Sequence, residues 1–341
     1  MALNNKDYWL KREEEKLNAG IKDCNKLSKE LQSHYKNAYK EIEKEINNLF
    51  MQYAKENNLT YKEASKYLTS DEFEIWRTDI KGYLAEIENN PEVLLELNTL
   101  AMKSRITRLE ALQYEVDKIL NKLTIEADKS TKKLLTDTLK DNYYKNVYNI
   151  SKSKGFLAKF SGIDNKTIER VLSYEWSGNN YSGRIWNNKQ QLSKTIKEEI
   201  TQMLIRGESS KKVSQRVATR MDTSYKNAVR LIQTEHSYVM EQANKITYED
   251  LKIEKYQFLA TPDERTCKVC GNLDLKIFNV KDMIHGKNCS PMHPSCRCTS
   301  LLYYEDEEDE NNTRFARDKN GKRIEIPSNM TFNEWKKKYI D

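Results

Sequence analysis

The chain has 341 residues, enough for two or three domains, with 38% hydrophobic and 32% charged residues and a mean hydropathy of -0.88. That apolar content is too high for a disordered chain and low for one compact globule, so the composition points to long helices with one buried stripe and a wide solvated face. The formal charge of +6 stands against 58 basic and 52 acidic side chains, an excess too small to argue for nucleic-acid binding by itself. No apolar run approaches the ~20 residues of a membrane span. The stretch from Met1 to Trp9 carries no apolar signal core, so the expected compartment is a reducing cytoplasm.

Prolines are placed unevenly: Pro91 alone precedes Pro262, which reads as helices first, loops and short strands afterwards. In residues 1–60, Leu27, Leu31, Tyr35, Tyr39, Ile42, Ile46 and Phe50 advance by threes and fours along one amphipathic face. A second helical stretch is expected from Thr60 to about Glu88, holding Tyr67, Phe73, Ile75, Trp76 and Tyr83. Asn90-Pro91 reads as a helix start, with Asn as cap and Pro in the first turn. Behind it lies a long stretch from Glu92 to Ser151, in which Ile106, Leu109, Leu112, Val116, Ile119 and Leu123 keep close to a 3.5-residue period. The heptads are not sustained, so an intramolecular helix hairpin is preferred over self-association through a coiled coil. Nothing in residues 1–150 resembles a catalytic constellation.

A zone punctuated by Gly155, Gly162, Gly178 and Gly183 follows, and helices are expected to resume over Leu192–Ile205, Ser209–Arg220 and Thr223–Glu249. Ser209 and Thr223 are candidate caps, and Arg206-Gly207 a helix end. Ile253, Tyr256, Phe258 and Leu259 read as a strand. After the cysteine-rich stretch come an acidic linker over Glu305–Asn312 and a hairpin turn over Asp318–Gly321 between Phe315 and Ile324–Ile326. The chain closes on a helix in which Phe332, Trp335 and Tyr339 share one face, with Lys336–Lys338 on a solvated one.

Five of the six cysteines fall between Cys267 and Cys298; Cys24 stands apart and reads as a small hydrophobe. Clustered thiols in a reducing compartment point to metal before disulfides, although disulfides in an oxidised particle and plain packed thiols remain open. Cys267-x-x-Cys270 in a tight turn supplies two ligands from one loop, and the His293–Cys298 run supplies two from another. Seven groups compete for four tetrahedral positions, and the expected zinc ligands are Cys267, Cys270, His293 and Cys296, with Cys298 as first substitute and His285 and Cys289 ranked below. Asp263 and Arg265 flank the pair and are expected to pair with each other or with Glu235, orienting the turn. His236 reads as a helix-face histidine and His34 as solvated. A zinc deaminase needs His-x-Glu before its cysteines, whereas His236 here is followed by Ser237 and Tyr238.

Thr261-Pro262-Asp263-Glu264-Arg265-Thr266-Cys267-x-x-Cys270-x-x-Leu273-Asp274, followed by His293-Pro294-x-Cys296-Arg297-Cys298, resembles the signature of the Mu F-like phage head morphogenesis, or minor head, proteins. Thr234-Glu235-His236 is similar to that family's Arg-Thr-Glu element, with Gln233 in the place of the Arg. Ser182–Trp186, Arg206–Ser209 and Ile326–Trp335 also resemble segments of such proteins, so the likeness covers about residues 150–340. Leu275 stands where a Gly is usual, and Ser290-Pro291 where a Pro pair is. The resemblance implies a virion protein of few copies, made in the host cytoplasm and resident in the phage head. It would contact the portal or the capsid interior and act in head assembly, DNA packaging or ejection. A DNA-binding virion protein travelling with the genome is the alternative, and an enzyme or toxin-like effector comes third.

The expected fold is mainly α: long amphipathic helices over 1–150, then a head morphogenesis domain over 151–304, helical with a small α+β Cys/His (zinc-ribbon-like) module at 260–300. Residues 305–341 form the linker, hairpin and closing helix.

Overall fold

The computed structural model describes residues 6–56, 100–154, 160–206, 208–303, 313–318 and 320–340. The expectations for Thr60–Glu88, for Asn90-Pro91, for Gly155 and Gly207 and for the acidic linker lie outside them. The fold is mainly helical, as the composition requires. Four long helices, α1 (Lys6–Glu56), α2 (Leu100–Lys154), α4 (Tyr181–Arg206) and α5 (Ser210–Asp250), are joined by the short α3 (Asn165–Ser173). A three-stranded antiparallel sheet of order β2-β1-β3 follows, made of β1 (Lys255–Leu259), β2 (Ile277–Asn279) and β3 (Thr299–Leu302). The short α6 (Lys268–Leu273) lies between β1 and β2; the hairpin β4 (Thr313–Arg317)–β5 (Arg323–Pro327) and α7 (Phe332–Tyr339) end the chain. Among the described residues no helix is long and apolar enough to cross a membrane.

The chain divides into two compact units. One is formed by Lys29–Asp128 and Ile185–Ala228, parts of α1, α2, α4 and α5. Its core joins the two stripes the periodicity marks, Ile42, Ile46 and Phe50 with Leu109, Leu112, Val116 and Leu123, to Ile196 and Ile200 of α4 and Val213 and Val217 of α5. The near-heptad face of α2 is thus used against helices of its own chain. Polar clamps flank the core, with Ser193 donating to Asp117 at 2.5 Å and Arg216 bound to Glu199 at 2.6 Å.

The other unit comprises Met1–Ser28, Lys129–Arg184 and Val229–Asp341 and holds every strand among the described residues. Trp9 and Leu10 of α1 pack with Ile150, Tyr248, Tyr256, Val280, Leu301 and Leu302. Gly20 is required by a close approach, since a Cβ there would lie 2.2 Å from Cε1 of His236. That helix-face histidine is accordingly buried, and desolvation lowers its pKa to about 4.

Two expectations are corrected. Ser209–Arg220 and Thr223–Glu249 are one helix, because the Thr223 hydroxyl donates back to the Thr219 carbonyl at 3.0 Å instead of capping a new start. The glycine-punctuated zone contains α3, capped by Asp164, whose side chain accepts from Thr167 N–H at 2.7 Å. Gly183 lies within the first turn of α4, where its N–H donates to the Asn180 side chain at 2.9 Å.

One carboxylate gathers the C-terminal hairpin and helix, beside Arg317 N–H donating to the Pro262 carbonyl at 2.9 Å and Phe332 packing on Gly271. Asp274 accepts from Ala260 N–H at 2.9 Å, Phe332 N–H at 2.7 Å and both arms of Arg314, at 3.0 and 2.5 Å. Asp274 and Arg314 are both buried, so removing one leaves the other charged without a partner. Asp274→Ala should therefore lower stability by about 3–5 kcal/mol, read by denaturant unfolding of the full chain. A loss under ~1 kcal/mol would show that the pair is not what holds β4, β5 and α7 in place.

Candidate metal centre

Two loops meet below β1. The first, Thr261–Thr266, leads into α6, whose N-cap is Cys267: its sulfur accepts from Cys270 N–H at 3.4 Å. A single turn so capped places both thiols on one side. The second loop, His293–Cys298, carries Ser295 in the left-handed region at φ +57°. It is held from α5, with Ser295 N–H donating to the Thr234 hydroxyl at 2.9 Å and Ser295 Oγ donating to Gln233 at 3.2 Å. The loops are tied to each other by Asp263, which Arg297 grips with both guanidinium arms, one at 2.7 Å. Arg265 is the lesser partner, 3.9 Å from Asp263 and mostly exposed. The expected Asp263–Arg265 pair is therefore present, but Arg297 of the second loop is the closer partner, which the spacing did not announce. Glu235 turns elsewhere, accepting from Trp176 Nε1 at 3.2 Å and lying 3.5 Å from Arg184.

The result is a cluster of five donor groups that could hold a metal ion. Cys267, Cys270 and His293 form one triad and Cys270, Cys296 and Cys298 another, ligand atoms within each lying no more than 4.8 Å apart. Cys270 belongs to both, 3.5 Å from His293 Nε2 and 3.9 Å from the Cys296 sulfur. Around a tetrahedral ion with metal–sulfur bonds of about 2.3 Å, sulfurs stand about 3.8 Å apart. The imidazole is already oriented: Nδ1–H donates to the Pro294 carbonyl at 3.0 Å, which leaves the Nε2 lone pair facing the thiols.

The electrostatics favour a cation here. Burial pushes the Cys267 thiol up, but hydrogen bonding from Cys270 and the nearby His293 outweigh it and hold its pKa below the ordinary value. Hydrogen bonds from Cys270 and Cys298 hold Cys296 far below the usual thiol range, and those bonds keep the protons on Cys270 and Cys298, whose pKa values rise. Cys267 and Cys296 are thus the thiols shifted toward the thiolate, and a bound metal would take the place of the protons on the others.

His285 and Cys289 lie outside the cluster. His285 Nδ1 donates to the Ser290 carbonyl at 2.6 Å, its Nε2 meets Gln242 at 2.6 Å, and its ring packs edge-on against Tyr238. Cys289 is buried beside Glu241 at 3.7 Å, its thiol pushed well up by burial and by that carboxylate. Sequence reasoning missed the α5 grip of Gln233 and Thr234 on Ser295; the only signal for it was the family-like element those two residues occupy. Leu275, where a Gly is usual, has φ +62°, so the backbone keeps the conformation glycine serves.

A long helix that clamps a two-loop Cys/His knuckle defines this part of the chain. Residues 194–301 match the family described as Phage Mu protein F like protein, and the resemblance read from the motifs is borne out over that segment. The chain is also 22% identical over 296 residues to "NAD(+)--arginine ADP-ribosyltransferase EFV" of Enterococcus faecalis (strain ATCC 700802 / V583), covering 82% of this chain and 55% of that protein. The chain therefore spans about half the length of the curated relative it matches. No solved structure matches it.

Arg297 sets the acid limit of the clamp. Burial pushes Asp263 up, but hydrogen bonds and charge from Arg297 more than reverse this and hold its pKa below the usual aspartate value. Because the folded pKa is depressed, its contribution is present above the unfolded value and lost as pH falls through the folded one. Loosening of the two loops is expected only below pH about 4, followed by hydrogen exchange at Ser295–Cys298. Asp263→Asn should loosen them at neutral pH as well; an Asp263→Asn protein with wild-type protection at both pH values would refute the clamp.

Proposed function

We propose that the chain is a minor head protein of a tailed bacteriophage, acting in head assembly, DNA packaging or ejection in contact with the portal or the capsid interior. The match of residues 194–301 to the Mu F-like family carries this reading. We further propose that Cys267, Cys270, His293 and Cys296 bind one zinc ion, with Cys298 able to substitute. Three thiolates and a neutral imidazole suit zinc by softness and number. The ion would staple the two loops and couple their folding to metal binding. The chain's own residues do the rest: Asp263 and Arg297 fix the loop spacing, Pro294 orients His293, and α5 holds Ser295.

Two measurements test these claims. Quantitative mass spectrometry of gradient-purified virions and of precursor heads should find a few copies in both; absence from both would remove the head-protein reading. Protein purified without chelator should carry one zinc equivalent, lost in a Cys267→Ser/Cys270→Ser double variant and kept in Cys298→Ser. A wild-type protein free of zinc would overturn the metal assignment, and loss in Cys298→Ser alone would exchange that ligand for another.

The similarity to a protein named as an arginine ADP-ribosyltransferase favours a second reading, an enzyme or effector. Nicotinamide release from NAD+ in the presence of an arginine peptide would bring it forward. For the alternative of direct DNA binding, affinity should fall steeply with salt.

A further inference from the structure

Behind the sheet the first turns of α1 meet α2, α5 and β3 in a closed polar network. Lys16 and Glu13 pair at 2.5 Å, both almost wholly buried. Lys16 also donates to Asn146 at 2.5 Å and to Asn244 at 3.3 Å; Asn146 donates to Asn244 at 2.8 Å, and Asn244 to the Ser300 hydroxyl at 3.3 Å. The network ends at Glu241, 1% exposed, which accepts from Thr299 Oγ1 at 2.7 Å, Ser300 N–H at 3.0 Å and Ser300 Oγ at 2.5 Å. The buried network therefore holds two carboxyl groups and one ammonium, which contacts Glu13 directly and is joined to Glu241 through Asn244 and Ser300. Glu241 has three donors to support its charge, whereas the second oxygen of Glu13 has no hydrogen-bond partner.

We propose that the N-terminal turns of α1 are a proton-dependent latch: a proton on Glu13 keeps them docked on the module, and its loss releases them. With Glu13 protonated, Lys16 and Glu241 balance; with it ionised, the network holds one uncompensated buried negative charge, which local opening relieves. The other titratable groups facing this pocket stay neutral, since Tyr248 of α5 and Cys289 of the loop are both pushed well up by burial and by these carboxylates. Burial raises both carboxyls, Glu13 with Lys16 and Thr299 offsetting it only in part and Glu241 against hydrogen bonds from Ser300 and Thr299; the three donors on Glu241 mark it as the one that carries the charge. A carboxyl with a raised folded pKa adds stability that is fully present below the unfolded pKa and lost as pH rises through the folded one, so the latch opens on the alkaline side. Release would uncover the apolar face that Trp9 and Leu10 occupy against Val280, Leu301 and Leu302, which makes the latch a control on whether that face is available to a partner.

Hydrogen exchange of the full chain, read at amides of residues 9–16 from pH 5 to pH 9, tests this. Protection factors should fall on the order of tenfold per pH unit between the ordinary glutamate value and the raised folded pKa and level off above it, while amides of the α1 stretch at Ile42–Phe50 stay protected. Glu13→Gln, which keeps the shape and cannot ionise, should hold protection constant across the range. Glu14→Gln, at the half-exposed pair with Arg323, should behave as wild type. Constant protection in the wild type, or a pH dependence that survives in Glu13→Gln or vanishes in Glu14→Gln, would overturn the latch. Global loss of helix in Glu13→Gln, seen by circular dichroism, would also overturn it by showing that the charge is needed for folding.

Discussion

A polar stripe on α5 is the constraint on which the C-terminal module depends. Thr234, Ser237, Glu241, Asn244 and Tyr248 recur every three or four residues, so they share one helix face. Each meets the module: Thr234 holds Ser295, Ser237 meets Ser290 at 3.2 Å, Glu241 takes Thr299 and Ser300, and Asn244 and Tyr248 reach Ser300. Any one such bond adds only about 0.5–1.5 kcal/mol net. Breaking the register, however, would strand several buried polar groups at once, each costing about 1–3 kcal/mol. The stripe thus sets where the two loops lie more firmly than apolar packing of equal area would, because greasy surfaces slide and hydrogen bonds do not.

That logic places the cluster. Cys267 and Cys270 are aligned by a local turn, a feature the Cys-x-x-Cys spacing already declares. The second loop has no such local device, and its left-handed Ser295 is held from outside by Gln233 and Thr234. Four donors, Cys267, His293, Cys296 and Cys298, are consequently packed around Cys270. The orientation of His293 is fixed by its neighbour Pro294 and needs no distant partner, so the imidazole is ready whichever of the remaining sulfurs completes a site.

The long helices were legible because their buried stripes are apolar and the 3.6-residue period is strong over many turns; Ile42, Ile46, Val116 and Ile196 are all fully or almost fully buried. The Cys/His donors were legible from spacing. What periodicity could not reveal was the polar stripe, since Thr234, Glu241 and Asn244 in a helix read as solvent-facing until their partners are known. The same blindness hid the role of Arg297, which sits between two cysteines and looks like part of their motif. It also hid Glu13 and Lys16, a charged pair on α1 that any sequence reading assigns to water. Thr223 misled in the opposite direction: it has the chemistry of a cap, and inside a continuous helix that hydroxyl found the carbonyl of Thr219.

The family match runs from the second half of α4 through α5 to β3. Residues 194–301 contain the α5 stripe and both loops it holds, together with Glu241 and its partners in β3. A helix that docks its partner through hydrogen bonds must keep residue identity at particular positions, because a hydroxyl or carboxylate has no isosteric apolar substitute. An apolar stripe needs only residues of suitable size and period, as in α1 and in α2 up to Leu123. The motifs read from the sequence lie in the knuckle and its clamp, while the family match also takes in residues 194–228 of the helical bundle, where the sequence shows a pattern of apolar positions.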